Sequence, residues 1–384
     1  MINAQENIQE ILNGNYLGIK PVTAEFVPTL NCDFQCVQCS YSKPKKQENV
    51  WGKGDFSRKA VHMDKDIMKI ALDRLIDGGV KNILFTGGGE PFMNKEVVLE
   101  GMRYAKKHGR TIGLYTNASL LNENIIQEIL KIDPLFIRVS VYGSDKKSFS
   151  AYTGQKSEIY LKVIENIKLL AINKQKNNSS VILSISYLLH PYTIENIDLL
   201  SDVFFQNFSL DQLNQISCIR FTPAVDYFGG EQHSHKEMEE VFEKIEHELK
   251  PKFKKTTVEI KPYHHRLADL NNPDKSYDTC RASGWFIEVG PNGDVFLCCE
   301  KLFLPEYKIG NLVENSIDEI YMSQLRKSVI EKVNHSFCKD CPPLCKPHER
   351  NKIFHEIEFL KKNNKNILID NCLNDLSKLS DFES

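Results

Sequence analysis

The sequence has no apolar run close to the roughly 20 residues that are needed to cross a lipid bilayer. Its first residues, MINAQENIQEILNG, are polar and amphipathic, without the apolar centre of a signal peptide. The formal charge of −2 indicates neither a nucleic-acid surface nor an acidic-lipid partner. These absences predict a cytoplasmic chain with no membrane and no nucleic-acid partner. Thiols stay reduced in the cytoplasm, so the 11 cysteines predict metal binding rather than disulfides.

Three closely spaced cysteines follow the first strand-like stretch, Thr23 to Leu30. Cys32, Cys36 and Cys39 stand in a C-x3-C-x2-C spacing. Since each iron of a [4Fe–4S] cluster takes one cysteine, three thiolates would leave the fourth iron open to a ligand, as in a catalytic metal site. The alternatives are a zinc site that lacks one ligand and three unrelated core cysteines. Zinc sites usually close with a second ligand pair, and no histidine lies near here.

A glycine run ends a second apolar strand about one βαβ unit later. Residues 82–91 read NILFTGGGEP, and Gly87, Gly88 and Gly89 let the backbone approach a ligand without a Cβ in the way. Glu90 then supplies an acceptor. The cysteine triad and this stretch together resemble the radical S-adenosylmethionine (SAM) superfamily. The resemblance implies that the triad binds a [4Fe–4S] cluster and that Gly88, Gly89 and Glu90 hold the amino group of SAM.

Strands and helices alternate through the first part of the chain. About six βα units between Thr23 and Val225 predict a parallel sheet, in agreement with the partial (β/α)6 barrel of this superfamily. Asp64 is predicted to cap the first crossover helix, which should end near Gly78. In such barrels the chemistry lies at the carboxyl ends of the strands, where the cysteine loop and Glu90 fall.

The resemblance implies further contacts at these strand ends. The residues expected to contact SAM are Thr116, Asn117 and Ser140, the last with an ordinary strand polar residue as its alternative. The candidates for SAM or substrate contacts, including groups at the reacting centre, are Tyr142, Ser184, Ser186 and Arg220. The family usually has an aromatic residue just before its third cysteine, whereas this chain has Gln38. Tyr41 is expected to cover part of that role beside the adenine.

Two polar segments interrupt the alternation. Residues 43–60 are basic and read as a solvated insertion or a lid. Residues 226–275 read as a charged helical bridge. Its histidines are expected at the solvated surface, with a metal site as the alternative: His233, His235, His264 and His265.

Cysteine density rises again near the C-terminus, at Cys280, Cys298, Cys299, Cys338, Cys341 and Cys345. The Asn292-Gly293 pair between apolar stretches predicts a β-hairpin. The Cys280-x12-Gly293-x4-Cys298 spacing and the later C-x2-C step resemble the SPASM/Twitch extension of radical SAM enzymes. A full SPASM domain has seven cysteines, so the resemblance favours a Twitch-like half.

This half is expected to hold one auxiliary [4Fe–4S] cluster. Its expected ligands are Cys280, Cys298, Cys338 and Cys341, with Cys345 as a competitor for the fourth place. A four-cysteine structural zinc is the alternative. Cys299 reads as a core residue or as a hydrogen-atom donor at the reacting centre, and Cys218 and Cys372 read as buried small residues.

The predicted fold is α/β, a partial (β/α)6 barrel with a small C-terminal cluster-binding domain of a β-hairpin and helices. The predicted domains are an N-terminal helix (1–20), the radical SAM barrel (21–225), the bridge (226–275), the auxiliary iron–sulfur domain (276–345) and a C-terminal helix with its tail (346–384).

The implied activity is that of an oxidoreductase-like radical SAM enzyme. It would cleave SAM reductively, with an electron from a donor such as flavodoxin or ferredoxin, and the resulting 5′-deoxyadenosyl radical would abstract a hydrogen atom from substrate. The auxiliary cluster would accept or relay an electron.

Three classes of function remain open for the sequence. A ribosomally made peptide is the first expected substrate, although the chain enters the barrel after about twenty residues without a peptide-recognition domain. The second is oxidation, epimerisation or rearrangement of a small sugar or aminocyclitol. The third is a non-catalytic iron–sulfur protein, and the intact Glu90 motif argues against it.

Overall fold

The computed structural model describes residues 2–39, 61–225, 235–263, 277, 279–301, 304–336, 341 and 345–379. Tyr41 and Cys338, and the insertion at 43–60, lie outside these ranges.

Ten strands of the described residues form one sheet. They are β1 (Thr23–Phe26), β2 (Asn82–Phe85), β3 (Thr111–Thr116), β4 (Phe136–Val141), β5 (Ile182–Leu189), β6 (Ile216–Pro223), β7 (Glu259–Pro262), β8 (Phe286–Val289), β9 (Asp294–Phe296) and β10 (Lys308–Asn311). Their order is β10-β9-β8-β1-β2-β3-β4-β5-β6-β7. Strands β1 to β6 pair in parallel, which confirms the predicted partial barrel.

Helices follow most of the parallel strands. They are α1 (Ile2–Asn13), α2 (Lys65–Asp77), α3 (Lys95–Lys107), α4 (Glu123–Ile132), α5 (Lys146–Thr153), α6 (Ser157–Lys176), α7 (Pro191–Ile194), α8 (Leu199–Asn207), α9 (Leu210–Leu213), α10 (His235–Lys244), α11 (Lys250–Lys252), α12 (Ile317–Met322), α13 (Gln324–Ser336), α14 (His348–Lys362) and α15 (Ile369–Lys378). None of the helices in these ranges is long and apolar enough to cross a membrane.

Helix α2 shows how the sequence determines where a helix begins and ends and which of its faces is buried. The side chain of Asp64 accepts a hydrogen bond from the backbone N–H of Ile67, which confirms the predicted N-cap. Gly78 ends the helix, also as predicted. Between these ends, Met68, Ala71, Leu72 and Leu75 recur at helical spacing and are buried against the sheet.

The sheet extends beyond the six predicted strands. Strand β7 lies inside the segment predicted as a helical bridge and pairs in parallel with β6. Its Ile260 is buried in the core, but the charged neighbours Glu259 and Lys261 conceal this short strand in the sequence. The predicted tail after α14 contains a further helix, α15, whose buried residues Ile369 and Leu376 share a hydrophobic cluster with Trp285 and Phe354.

The C-terminal region, from β8 onward, is built onto the barrel sheet. Strand β8 pairs in parallel with β1, and β9 turns back beside β8 through the predicted Asn292-Gly293 turn. Arg326, fully buried on α13, donates hydrogen bonds to the backbone oxygens of Leu17 and Tyr321 at 2.8 and 2.9 Å. The auxiliary region is therefore attached to the strand that precedes the cysteine triad.

Candidate functional site

The cysteine loop is held in place from two sides. Its Asn31 oxygen accepts a hydrogen bond from the backbone N–H of Glu90 at 2.8 Å. On the other side, the backbone N–H groups of Gln35 and Val37 donate to oxygens at the end of α5, at 2.8 and 2.9 Å. These bonds join the loop to the glycine run after β2 and to the region that follows β4.

The three sulfurs of the triad lie around Tyr142. Each cysteine is partly exposed. Burial raises the pKa of Tyr142 well above its usual range, and the nearby Cys36, Cys32 and Cys39 raise it further. Cys32 Sγ also accepts a hydrogen bond from the backbone N–H of Phe34 at 3.3 Å, the kind of bond that tunes iron–sulfur clusters. The loop therefore presents its thiols to one region.

The thiols of the triad are candidate ligands of a [4Fe–4S] cluster. Among the described residues, no three His, Cys, Asp or Glu side chains are arranged to hold one metal ion. A [4Fe–4S] cluster places each cysteine on a different iron, so its ligands stand around a larger group. The donor set and its N–H···S bond fit the cluster implied by the resemblance.

Glu90 lies at the centre of a buried hydrogen-bond network. The residue is 3% exposed and accepts hydrogen bonds from Thr116 Oγ1 at 2.6 Å, from the Asn117 N–H at 2.7 Å and from the Phe92 N–H at 3.3 Å. Burial raises its pKa to about 7, these hydrogen bonds oppose the rise, and Asp33 adds to it. The structure thus brings together the predicted residues Glu90, Thr116 and Asn117.

Two positions of the glycine run leave no room for a side chain. A Cβ on Gly89 would overlap the backbone oxygen of Asn31, and one on Gly87 would overlap the oxygen of Gly89. Gly88 between them is buried. The close approach of the glycine run to the cysteine loop explains Gly89 and places Glu90 beside that loop.

A second carboxylate, which the sequence did not single out, ties the loop to β3. Asp33 accepts hydrogen bonds from Asn117 Nδ2 at 2.9 Å and from the Ser119 hydroxyl. The side chain of Gln155 donates to its backbone oxygen. The only signal in the sequence is its place beside Cys32. Asp33 and Ser119 stand 86 residues apart, and no local pattern connects them.

Aromatic rings support the cysteine loop. Tyr142 stacks on Tyr152 with ring centroids 5.1 Å apart, and Phe34 meets the Tyr142 ring edge-on at 6.4 Å. The Ser140 side chain hydrogen-bonds Tyr142. Gln38 is 8% exposed, and its Oε1 accepts no hydrogen bond from the described residues, so it can accept one from a ligand. Tyr41, predicted to assist here, lies outside the described ranges.

Cys280 of the second cysteine group lies against the first turn of α14. Cys280 Sγ accepts a hydrogen bond from Asn351 Nδ2 at 3.3 Å, and Asn351 Oδ1 accepts one from the Ala282 N–H at 2.8 Å. This N–H···S bond to a candidate ligand fits an iron–sulfur site. Cys298 and Cys341 are partly exposed, and Cys345 is buried. Cys338 lies outside the described residues, so the ligand set stays a prediction.

Three other cysteines differ from the sequence-based expectation. Cys299 opens a short 3-10 helix and is partly exposed rather than a core residue. Cys372 is partly exposed on α15. Cys218 is also partly exposed because it lies on β6 on the face of the sheet opposite the helices.

The face of the sheet opposite the helices, called the inner face below, carries polar residues along β4, β5 and β6. Alternate residues such as Val139, Ile185 and Ile219 pack with the helices in the main core. The residues between them form two rows across the strands. One row consists of Ser140, Ser186 and Arg220 on neighbouring strands, and the other consists of Arg138, Ser184 and Cys218. The predicted contact residues Ser140, Ser184, Ser186 and Arg220 thus share one face.

Comparison with known proteins agrees with this geometry. Residues 26–203 match the radical SAM superfamily, and residues 280–342 match SPASM, an iron–sulfur cluster-binding domain. A cysteine-type anaerobic sulfatase-maturating enzyme of Clostridium novyi is 25% identical over 377 residues, 92% of this chain and 91% of that protein.

Solved structures share the fold. Streptococcus suis SuiB bound to S-adenosylmethionine aligns with a TM-score of 0.61 and 18% identity over 89% of this chain and 75% of SuiB. The structure of anSMEcpe with bound AdoMet and Cp18Cys peptide aligns with a TM-score of 0.56 and 17% identity, over 85% of this chain and 88% of that one. These similarities confirm the predicted fold class.

Proposed function

We propose that this chain, which belongs to the radical SAM superfamily and carries a SPASM domain, modifies a ribosomally synthesised peptide. Its radical SAM domain binds a [4Fe–4S] cluster and SAM, and its SPASM domain is an iron–sulfur cluster-binding domain. The chain is thus an enzyme. The proposal concerns its substrate and the residues that act on it.

The peptide substrate is supported by the proteins that share the fold. SuiB has been solved with its precursor peptide SuiA, and its structure aligns with this chain with a TM-score of 0.60. The anSMEcpe structure also contains a peptide. Within this chain, the support is the polar inner face of β4 to β6, which lies beside the cysteine loop and offers hydroxyl and guanidinium groups to a polar ligand.

We assign the cluster and SAM to the residues that fit them. Cys32, Cys36 and Cys39 would hold the cluster, and Glu90 would accept a hydrogen bond from the amine of SAM. The cluster and SAM, when bound, supply the 5′-deoxyadenosyl radical that abstracts a hydrogen atom. Asp33 fixes the loop against β3 through Asn117. The packed rings of Phe34 and Tyr142 exclude water behind the loop.

The C-terminal cysteines would serve one auxiliary cluster. Cys280, Cys298, Cys338 and Cys341 are the proposed ligands, with Cys345 as the competitor. Asn351 would stabilise the thiolate of Cys280 through its hydrogen bond. A low-potential one-electron donor such as flavodoxin or ferredoxin would reduce the catalytic cluster.

Incubation with two substrate panels tests the proposal. The reconstituted chain is given SAM and a low-potential reductant under anaerobic conditions. One panel contains peptides encoded by short reading frames beside its gene, and the other contains sugars and aminocyclitols. We expect peptide-dependent formation of 5′-deoxyadenosine with a change in peptide mass, in the wild type and in Cys372→Ala but not in Cys36→Ala. Turnover with the sugar panel alone would contradict a peptide substrate.

A further inference from the structure

Two arginines lie on the inner face of the sheet, below the cysteine loop. Arg138 on β4 precedes Ser140 by two residues, so both point to the same face. Arg220 on β6 shares a row with Ser140 through Ser186 of β5. Neighbouring strands lie about 4.8 Å apart, which places the backbone of Arg220 about 10 Å from that of Ser140.

Both guanidinium groups are fixed against tyrosine rings. The Arg138 guanidinium lies 4.7 Å from the ring centre of Tyr115 and donates to the Tyr115 hydroxyl at 2.7 Å. The Arg220 guanidinium lies 4.4 Å from the ring centre of Tyr263. Stacking restricts a planar guanidinium to few orientations, so less conformational freedom is lost when it binds an anion.

The positive charges of Arg138 and Arg220 repel each other. Arg220 is 8% exposed, and its pKa is lowered to about 10, first by burial and then by Arg138. Among the described residues, Arg138 is the charged group that lowers the pKa of Arg220 most. Lys261 follows Arg220 in the same row of the sheet, and its ammonium pairs with Glu259 at 2.8 Å. An anion bound between Arg138 and Arg220 would relieve their repulsion, and a carboxylate matches the guanidinium fork.

We propose that Arg138 and Arg220 form a carboxylate-binding subsite that holds an acidic group of the substrate inside the barrel. The subsite rests on the proposed function, because it names the substrate class for the same site. The carboxylate comes from a glutamate or aspartate side chain of the peptide, or from its C-terminus.

The position of the subsite sets the orientation of the substrate. Arg138 lies two residues before Ser140, about 7 Å further from the carboxyl ends of the strands, where the cysteine loop lies. A substrate anchored by its carboxylate would therefore direct another part of itself towards the triad. Arg138 and Arg220 would thus select peptides with a carboxylate at the matching distance from the reacting carbon, and they would decide which carbon is presented for hydrogen abstraction.

Binding of capped amino acids tests the subsite without turnover. The cluster-reconstituted chain with SAM is titrated calorimetrically under anaerobic conditions with N-acetylglutamate N-methylamide and with its glutamine counterpart. N-acetylalanine and N-acetylalanine amide test the terminal carboxylate. We expect tighter binding of at least one acid than of its amide, and the pair that shows this preference identifies the source of the carboxylate. Arg138→Gln and Arg220→Gln should each reduce the preference about tenfold or more.

Matched variants separate a specific subsite from a general effect of lost charge or poor folding. Arg103→Gln removes an exposed arginine of α3, paired with Glu128, and should leave the preference unchanged. Arg220→Lys keeps the charge and the buried stem, so it should retain part of the preference even where the glutamine variant folds poorly. SAM affinity should not change in any of these variants.

Several results would overturn the subsite. One is equal binding of both acids and their amides, and another is no binding of any probe. A third is a loss of the acid preference in Arg103→Gln as large as in the inner-face variants. The fourth is a loss of SAM affinity in Arg138→Gln or Arg220→Gln. The last result would assign the arginines to SAM. A chain that binds the acidic probe but modifies no peptide would refute the proposed function alone, and a chain that modifies a peptide without this preference would refute the subsite alone.

Discussion

Replacement of Glu90 by glutamine should weaken SAM binding and remove the pH dependence of stability that the buried Glu90 carboxylate causes. The ionised carboxylate is the proposed acceptor for the amine of SAM. Glutamine keeps the shape and removes the charge, but its amide NH2 must then face the backbone N–H of either Phe92 or Asn117, which can only donate. A hydrogen bond to a charged group contributes on the order of 1.5–3 kcal/mol, so SAM affinity should fall about tenfold or more.

The effect on stability depends on pH. The pKa of Glu90 is raised from its ordinary value of 4.5 to about 7, chiefly by burial, so the folded chain disfavours the ionised form. The destabilisation develops as the pH rises from 4.5 to 7 and is complete above 7. The difference between these pKa values corresponds to about 3 kcal/mol. Glutamine does not titrate, so the free energy of unfolding of Glu90→Gln relative to that of the wild type should rise by up to about 3 kcal/mol from pH 5 to pH 8.

Two assays check this prediction. Urea unfolding of the cluster-free chain, with its thiols reduced, measures stability between pH 5 and pH 8. Calorimetry on the reconstituted chain at pH 8 measures SAM affinity. Glu96→Gln, which changes an exposed carboxylate of α3, is the control for both. A stability difference that does not change with pH would refute the reasoning on burial. Unchanged SAM affinity would mean that the Gly-Gly-Glu stretch is only a turn.

Three further predictions concern the clusters and the glycine run. The reconstituted chain should hold about eight irons, four in each of two [4Fe–4S] clusters, and the triple alanine variant of Cys32, Cys36 and Cys39 should hold about half, with a spectrum that SAM does not change. Zinc without iron in that variant would contradict the auxiliary cluster. Asn351→Leu removes the donor to Cys280, so it should lower the reduction potential of the auxiliary cluster in a spectroelectrochemical titration, and an unchanged potential would exclude this ligand. Gly89→Ala forces a Cβ onto the Asn31 oxygen, so it should destabilise the chain by about 1–3 kcal/mol in urea unfolding, and full stability would contradict the close packing.

The sequence could predict whatever depends on local patterns. The alternation of strands and helices predicted β1 to β6, Asp64 predicted the start of α2, and the Asn292-Gly293 pair predicted the hairpin of β8 and β9. The spacing of the triad and the glycine run predicted that Glu90 would lie beside the cysteine loop. Each of these features depends on residues close together in the chain or on a motif with a specific spacing.

Contacts between distant segments could not be predicted in this way. The pairing of β8 with β1 and the bond between Asp33 and Ser119 join residues that no short pattern relates. Ile260 gives the only buried position of β7, too weak a signal for a strand. Cys218 was expected to be buried because small thiols usually are, but it lies on the open inner face of the sheet.

The central claim is that Cys32, Cys36 and Cys39 carry the cluster that activates SAM. The most direct test measures 5′-deoxyadenosine formed from SAM by the reduced, anaerobic chain and its single-cysteine variants. We expect Cys32→Ala, Cys36→Ala and Cys39→Ala each to abolish the product, because each removes one of three thiolates that hold the cluster. Cys372→Ala should retain the wild-type rate. Product formation in any of the three triad variants would contradict the assignment.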